Sequence, residues 1–201
     1  DGNLNLYAAW VPVGTVNKDG TDKNSYGGSS LKGFSLEGVQ IRSKEIADKY
    51  TNDYNTDQDA LRFVTVYRNG MIEELQSLNG KSVSYGYTAY AKTDIANLTK
   101  LNKKTTGAVD IDCTKEGDQN HRMFDDYRLS TLVIKYDGAD SAYMDSLVEA
   151  RAYVDYTDAN GFGRRGYHTY SDSKFAGGCR TSFNATKTAV SNAYDALAKI
   201  A

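Results

Sequence analysis

The chain has 201 residues, 40% of them hydrophobic, and a formal net charge of −2, enough for one well-buried domain that folds rather than stays disordered. Its 24 basic residues are outnumbered by 26 acidic ones, so no cationic surplus exists to neutralise phosphates or hold an anionic bilayer, which argues against nucleic acid and a polybasic anchor. No apolar run approaches the roughly 20 residues that span a bilayer, so membrane insertion is not expected.

The elements follow in chain order. Asp1-Gly2-Asn3 is turn chemistry, and Leu4, Leu6, Ala8 and Trp10 alternate with Asn5, Tyr7 and Ala9 as a strand does. Residues 1–13 therefore read as a strand, and residues 14–30 as a polar linker or surface loop. Residues 31–181 form the strand-rich domain. Within it Leu36–Arg42 and Leu61–Tyr67 are strands separated by a polar loop over 48–59. Met71–Leu78 has helical spacing and stops at Asn79-Gly80. Ser82–Thr93 is the longest strand candidate, with Val83, Tyr85 and Tyr87 on one face and Ser84, Gly86, Thr88 and Tyr90 on the other. Residues 94–107 read as loop, Ala108–Cys113 as a short strand and Tyr127–Tyr136 as a central strand. Ser141–Leu147 carries one or two helical turns. Glu149–Thr157 alternates cleanly, turns at Asp158-Ala159-Asn160-Gly161 and returns over Arg164–Tyr170. Residues 182–201 form a C-terminal amphipathic helix, with Phe183, Thr186, Val190, Ala193, Tyr194, Leu197 and Ile200 on one stripe, packed on the domain. The fold class is mainly β, a β-sandwich or α+β arrangement, with one or two short helices between strands. The skew to 16 Tyr with one Pro suits extracellular β-structure, where rings pack and hydroxyls stay wet.

The first strand, with its Leu-x-Leu-Tyr-Ala-x-Trp run, resembles the closing strand of the internalin-type (Listeria–Bacteroides) B-repeat, which implies that residues 1–13 are the residual strand of an upstream repeat. Gly38–Arg42, Leu61–Val64, Tyr85-Gly86-Tyr87 and Ala150–Asp158 are similar to stretches of an uncharacterised module of Gram-positive, clostridial-type surface proteins. The polar stretches at 48–59 and 114–126 depart from that pattern. The resemblance implies an extracellular, secreted or wall-attached module of a longer protein, but no chemistry.

Catalysis has little support. His121 and His168 are the only histidines, Cys113 and Cys179 the only cysteines, and no nucleophile elbow, zinc-protease helix or phosphate loop appears. The two cysteines are either a disulfide or ordinary packing thiols. Asp53, Asn55, Asp57 and Asp59 offer oxygen at alternate positions, as half a calcium loop does, but Gln58 replaces the turn glycine and Val64 the closing glutamate. No cofactor is expected, calcium being the one ion this loop would take. Arg151, Tyr153 and Asp155 project together from one strand, Tyr167 returns beside them and Tyr90 stands on a small polar face, giving rings, a guanidinium and a carboxylate for a ligand. Tyr is also simply a good strand residue, and cross-strand pairs stabilise sheets without any ligand. These observations predict a monomeric, non-catalytic adhesion or ligand-binding module with carbohydrate first among ligand classes. A structural spacer or a module that binds a host or cell-surface protein is the alternative. A binder should expose two or more clustered rings; a spacer should bury them.

Overall fold

A computed structural model describes residues 29–30, 34–51, 58–91, 101, 104–115, 121–136, 138–139, 141–167 and 180–200. The strand expected over residues 1–13 lies outside them, as do Cys179 and His168.

The fold is mainly β, two sheets facing each other across one core. The first sheet is ordered β2-β3-β7-β6: β2 is Phe34–Arg42, β3 Ala60–Arg68, β6 His121–Met123 and β7 Tyr127–Lys135. The second is ordered β1-β9-β8-β4-β5, from β1 (Ser29–Ser30), β4 (Ser84–Ala91), β5 (Val109–Asp112), β8 (Val148–Thr157) and β9 (Gly163–Tyr167), and β10 (Arg180–Thr181) also pairs with β8. Every pairing is antiparallel except β1 with β9. Ser29 and Ser30, read from sequence as the end of a linker, add that parallel rung.

Alternation sets the core. Leu61, Phe63 and Tyr67 of β3 and Leu132 of β7 face Tyr85 and Tyr87 of β4 and Ala150, Ala152, Val154 and Tyr156 of β8. Two tyrosines tie the sheets reciprocally. The Tyr67 hydroxyl donates across the core to the Gly86 and Tyr153 carbonyls, at 3.3 and 3.4 Å. The Tyr87 hydroxyl donates the other way, to the Phe63 and Ser130 carbonyls, at 3.2 and 2.9 Å. Each ring fills apolar volume while its polar end finds a buried acceptor. Gly86 is needed beside this tie, because a Cβ there would run into the Ile111 carbonyl of β5.

Helices close the ends. α2 (Asn69–Ser77) bridges the two sheets with Met71, Ile72 and Leu75 buried, close to the helix expected over 71–78. At the opposite end Tyr136 packs between Tyr143 and Phe183, with ring centroids 5.1 and 5.0 Å away. Tyr143 belongs to α3 (Ser141–Asp145) and Phe183 opens α4 (Phe183–Leu197), whose N-cap Ser182 accepts from the Ala185 amide. The polar loop expected over 48–59 begins instead inside a helical segment: α1 (Lys44–Ile46) runs into a π-helical stretch, Ala47–Thr51. Burial of Ile46 and Ala47 holds it, and Tyr50 stacks on Tyr194 of α4 at 4.9 Å. Among the described residues, no helix is long and apolar enough to cross a membrane.

Candidate functional site

The structure brings Tyr90, Arg151, Tyr153, Asp155 and Tyr167 to one face, the outer face of the second sheet. The register sets Tyr153 beside Tyr167 and Gly86, Arg151 beside Thr88, and Asp155 beside Arg165. They do not form the exposed platform expected of them. Tyr153 is 3% exposed and Tyr167 is fully buried. Arg165 is the cover that sequence reasoning missed. Its guanidinium lies 3.7 Å from the centroid of the Tyr153 ring. It pairs with both oxygens of Asp155, at 2.7 and 2.6 Å, and reaches Asp110 of β5 at 2.6 Å. Arg151 lies over the Tyr167 ring at 4.3 Å and donates to the Leu101 carbonyl. Burial drives the Tyr153 hydroxyl well above its ordinary pKa, so it stays neutral.

The same face buries Glu149, which Arg180 of β10 holds at 2.6 Å. Burial still pushes its carboxyl above the usual range, the Arg180 pair opposing this only in part. Arg165 and Arg180 are thus spent on Asp155, Asp110 and Glu149, and Arg151 on a ring and a carbonyl. Tyr90 and Asp155 alone of the five expected residues are partly exposed. This face is a sealed ionic and aromatic layer, held by cation–π contacts, the bidentate Arg165–Asp155 pair and the Arg180–Glu149 pair.

Of the expected metal ligands, Asp53, Asn55 and Asp57 lie outside the described residues. Asp59 has another duty: its carboxylate accepts the Lys44 amide at 3.0 Å, capping α1. No cluster of three or more metal-ligating side chains exists among the described residues. Cys113 is buried, its thiol 3.9 Å from the Ile111 carbonyl.

Open aromatic and cationic chemistry lies on the opposite side of the molecule, the outer face of the first sheet. Strand alternation puts Arg62, Val64, Val66 and Arg68 of β3, Tyr127, Leu129, Thr131, Val133 and Lys135 of β7, Arg122 of β6, and Gln40 and Arg42 of β2 on this side. Phe124, two residues beyond Arg122, stacks on Tyr127 with centroids 4.6 Å apart and planes 18° from parallel. Both rings are open, Phe124 at 42% and Tyr127 at 38% exposure. The pair stands on a braced turn. The Phe124 amide donates to the Tyr127 carbonyl at 2.8 Å, and the Asn69 side-chain amide donates to the Phe124 and Asp125 carbonyls at 2.8 and 2.9 Å. Arg128, pointing the other way, donates to Asn69 Oδ1 at 2.8 Å. The rings are therefore presented on a rigid support.

Along the face, Val133 is 40% exposed, whereas Val64 and Thr131 are buried. The Arg62 guanidinium leans over Thr131, at 3.5 Å from its hydroxyl, covering apolar surface with its stem. Burial lowers the Arg62 pKa from its ordinary value, and the nearby Arg42 and Arg122 charges add to this. Arg42 and Arg122 thus each repel Arg62. Sequence reasoning missed this face because its cations come from four strands, and only the pairing register unites them.

No family model matches the chain, and searches of curated proteins and of solved structures found no match.

Proposed function

We propose that the chain is a non-catalytic binding module that recognises a glycan through the outer face of the β2-β3-β7-β6 sheet. The observation that carries this reading is the open, stacked Phe124–Tyr127 pair on its braced turn. Flat apolar rings flanked by guanidiniums and carboxylates suit the C–H faces and hydroxyls of sugars. Arg68 and Arg122 flank the pair, and Asp125 and Asp126 sit in its turn. The likeness of Leu4–Trp10 to a B-repeat strand supports the same setting, an adhesion module of a secreted or wall-attached bacterial protein.

A glycan array probed with the intact chain tests this. Tyr127→Ala or Phe124→Ala should weaken binding to the bound glycan by about 2 kcal/mol, as loss of an exposed anchor does, with the thermal melt unchanged. Tyr153→Ala should instead cost about 3–5 kcal/mol of stability, because it empties a buried site. An array with no bound glycan removes the reading.

A second reading, a structural spacer, is favoured by the reciprocal Tyr67 and Tyr87 ties and by the sealed layer around Arg165. It predicts binding to no glycan and a stability loss for each of those residues. Binding of a host or cell-surface protein would use the same open face.

A further inference from the structure

The cations of the binding face point to a narrower ligand class. We propose that the outer face of the β2-β3-β7-β6 sheet holds a polyanionic polysaccharide, a sugar chain carrying sulfate, phosphate or uronate groups, an inference that rests on the glycan-binding reading above.

Five cations share this face: Arg42, Arg62, Arg68, Arg122 and Lys135. The register sets Arg42 and Lys135 on either side of Ala60, Arg62 between Gln40 and Val133, Arg122 beside Leu129 and Arg68 beside Tyr127. Among the described side chains on these strands, none facing outward is acidic. In sequence, carboxylates border the strands at both ends: Asp125 and Asp126 in the turn at the aromatic end, and at the other end Glu45, which pairs with Lys187, and Asp59, which accepts the Lys44 amide. The ion pairs of the described residues lie elsewhere. Arg164 takes Asp158, Arg165 takes Asp110 and Asp155, and Arg180 takes Glu149. None of the five cations shares a carboxylate with them. The chain as a whole carries −2, so this local surplus of positive charge is a segregation of charge, not a reflection of composition.

Shape selects among polyanions. The face runs about 27 Å from Tyr127 to Lys135 at ~3.4 Å per strand residue, with Gln40, Arg42, Arg122, Tyr127, Val133 and Lys135 exposed along it. That suits an extended polymer better than a small anion. Duplex nucleic acid carries a charge about every 1.7 Å and answers to a strongly basic domain; a chain of net charge −2 offers too little. Arg clusters also take acidic peptides, so polyglutamate is the competing ligand in the test; the stacked rings beside the cations favour the sugar faces of a polysaccharide. Guanidiniums beside stacked rings match a polymer whose anionic groups alternate with sugar faces, and each guanidinium can pair with an oxyanion through two hydrogen bonds.

The test compares dextran sulfate with dextran, the same backbone without charge, and with polyglutamate and oligo-dT, all titrated against the full chain. Dextran sulfate should bind and dextran should bind at least about tenfold more weakly, with affinity for the sulfated chain falling on the order of tenfold as salt rises about fourfold. Arg62→Gln/Arg122→Gln/Lys135→Gln should weaken dextran sulfate binding at least about tenfold with an unchanged thermal melt, and Lys81→Gln, off the face, should change nothing. Equal binding of dextran and dextran sulfate, unaffected by the triple substitution, would overturn the anionic ligand while leaving glycan binding in place. Equal binding of polyglutamate or oligo-dT overturns the polysaccharide assignment. No binding of either dextran form, together with an empty glycan array, overturns both this inference and the function on which it rests.

Discussion

Asp158 shows how one carboxylate organises a turn. Oδ1 accepts the Asn160 and Phe162 amides at 3.0 and 2.9 Å, and Oδ2 accepts Arg164 Nε at 2.8 Å. Burial works to raise its pKa, but the Phe162 amide, the Arg164 guanidinium and the Asn160 amide outweigh burial and hold it below the usual carboxylate value. A depressed folded-state pKa means stability that is complete above the unfolded pKa and is lost as pH falls through the folded one. Asp158→Asn should therefore cost about 1–2 kcal/mol at neutral pH in urea titrations, and its gap from the parent should close below about pH 4. Glu149 runs the other way: its raised pKa makes its charge a growing cost as pH climbs through the carboxylate range. The turn was legible in Asp158-Ala159-Asn160-Gly161, where Gly161 adopts φ +84°. The seal over Tyr153 was not. Alternation says which face a ring occupies, not that Arg165, ten residues from Asp155, will lie on it.

At the scale of elements, strands with strong alternation were the readable ones. β3, β7 and β8 lie within a residue or two of their expected bounds. β6 was not readable, since His121-Arg122-Met123 is three residues with no apolar period. Yet it contributes Arg122 and leads to Phe124, so the outer face of the first sheet, proposed above as the binding face, could not be assembled from sequence. α4 stops at Leu197, short of the expected 201, and of the expected stripe only Phe183 is buried, while Leu197 and, beyond the helix, Ile200 are exposed. The stripe was visible in the spacing; its depth of burial depends on where the sheets end. The 53–59 segment carries a separate prediction. Calcium held by Asp53, Asn55, Asp57 and the oxygen of Asp59 not capping α1 should raise the melting temperature in millimolar calcium over chelator, because a ligand that binds only the folded state stabilises it. Coincident melts would return these residues to an ordinary solvated loop.

For the whole molecule, the reciprocal ties set the spacing between sheets. Tyr67→Phe and Tyr87→Phe should each cost about 1 kcal/mol, since each removes a buried hydroxyl's hydrogen bonding while leaving the ring in place; denaturant midpoints should fall with the slope unchanged. The mainly β character was legible from periodicity, but the partition of strands into two sheets was not, because pairing joins segments far apart in the chain. Leu61 pairs with Ile134, and Tyr87 with Ala152. The chain lays down β2 and β3 of one sheet, crosses to β4 and β5 of the other, returns for β6 and β7 and crosses again for β8 to β10. Such long-range pairing makes folding slow. It also orders events during synthesis. At about 5–20 residues per second, several seconds separate the emergence of β3 from that of β7. Through that interval β3, buried along nearly its whole length in the finished fold, has β2 on one side and a bare hydrogen-bonding edge on the other, open to any passing strand.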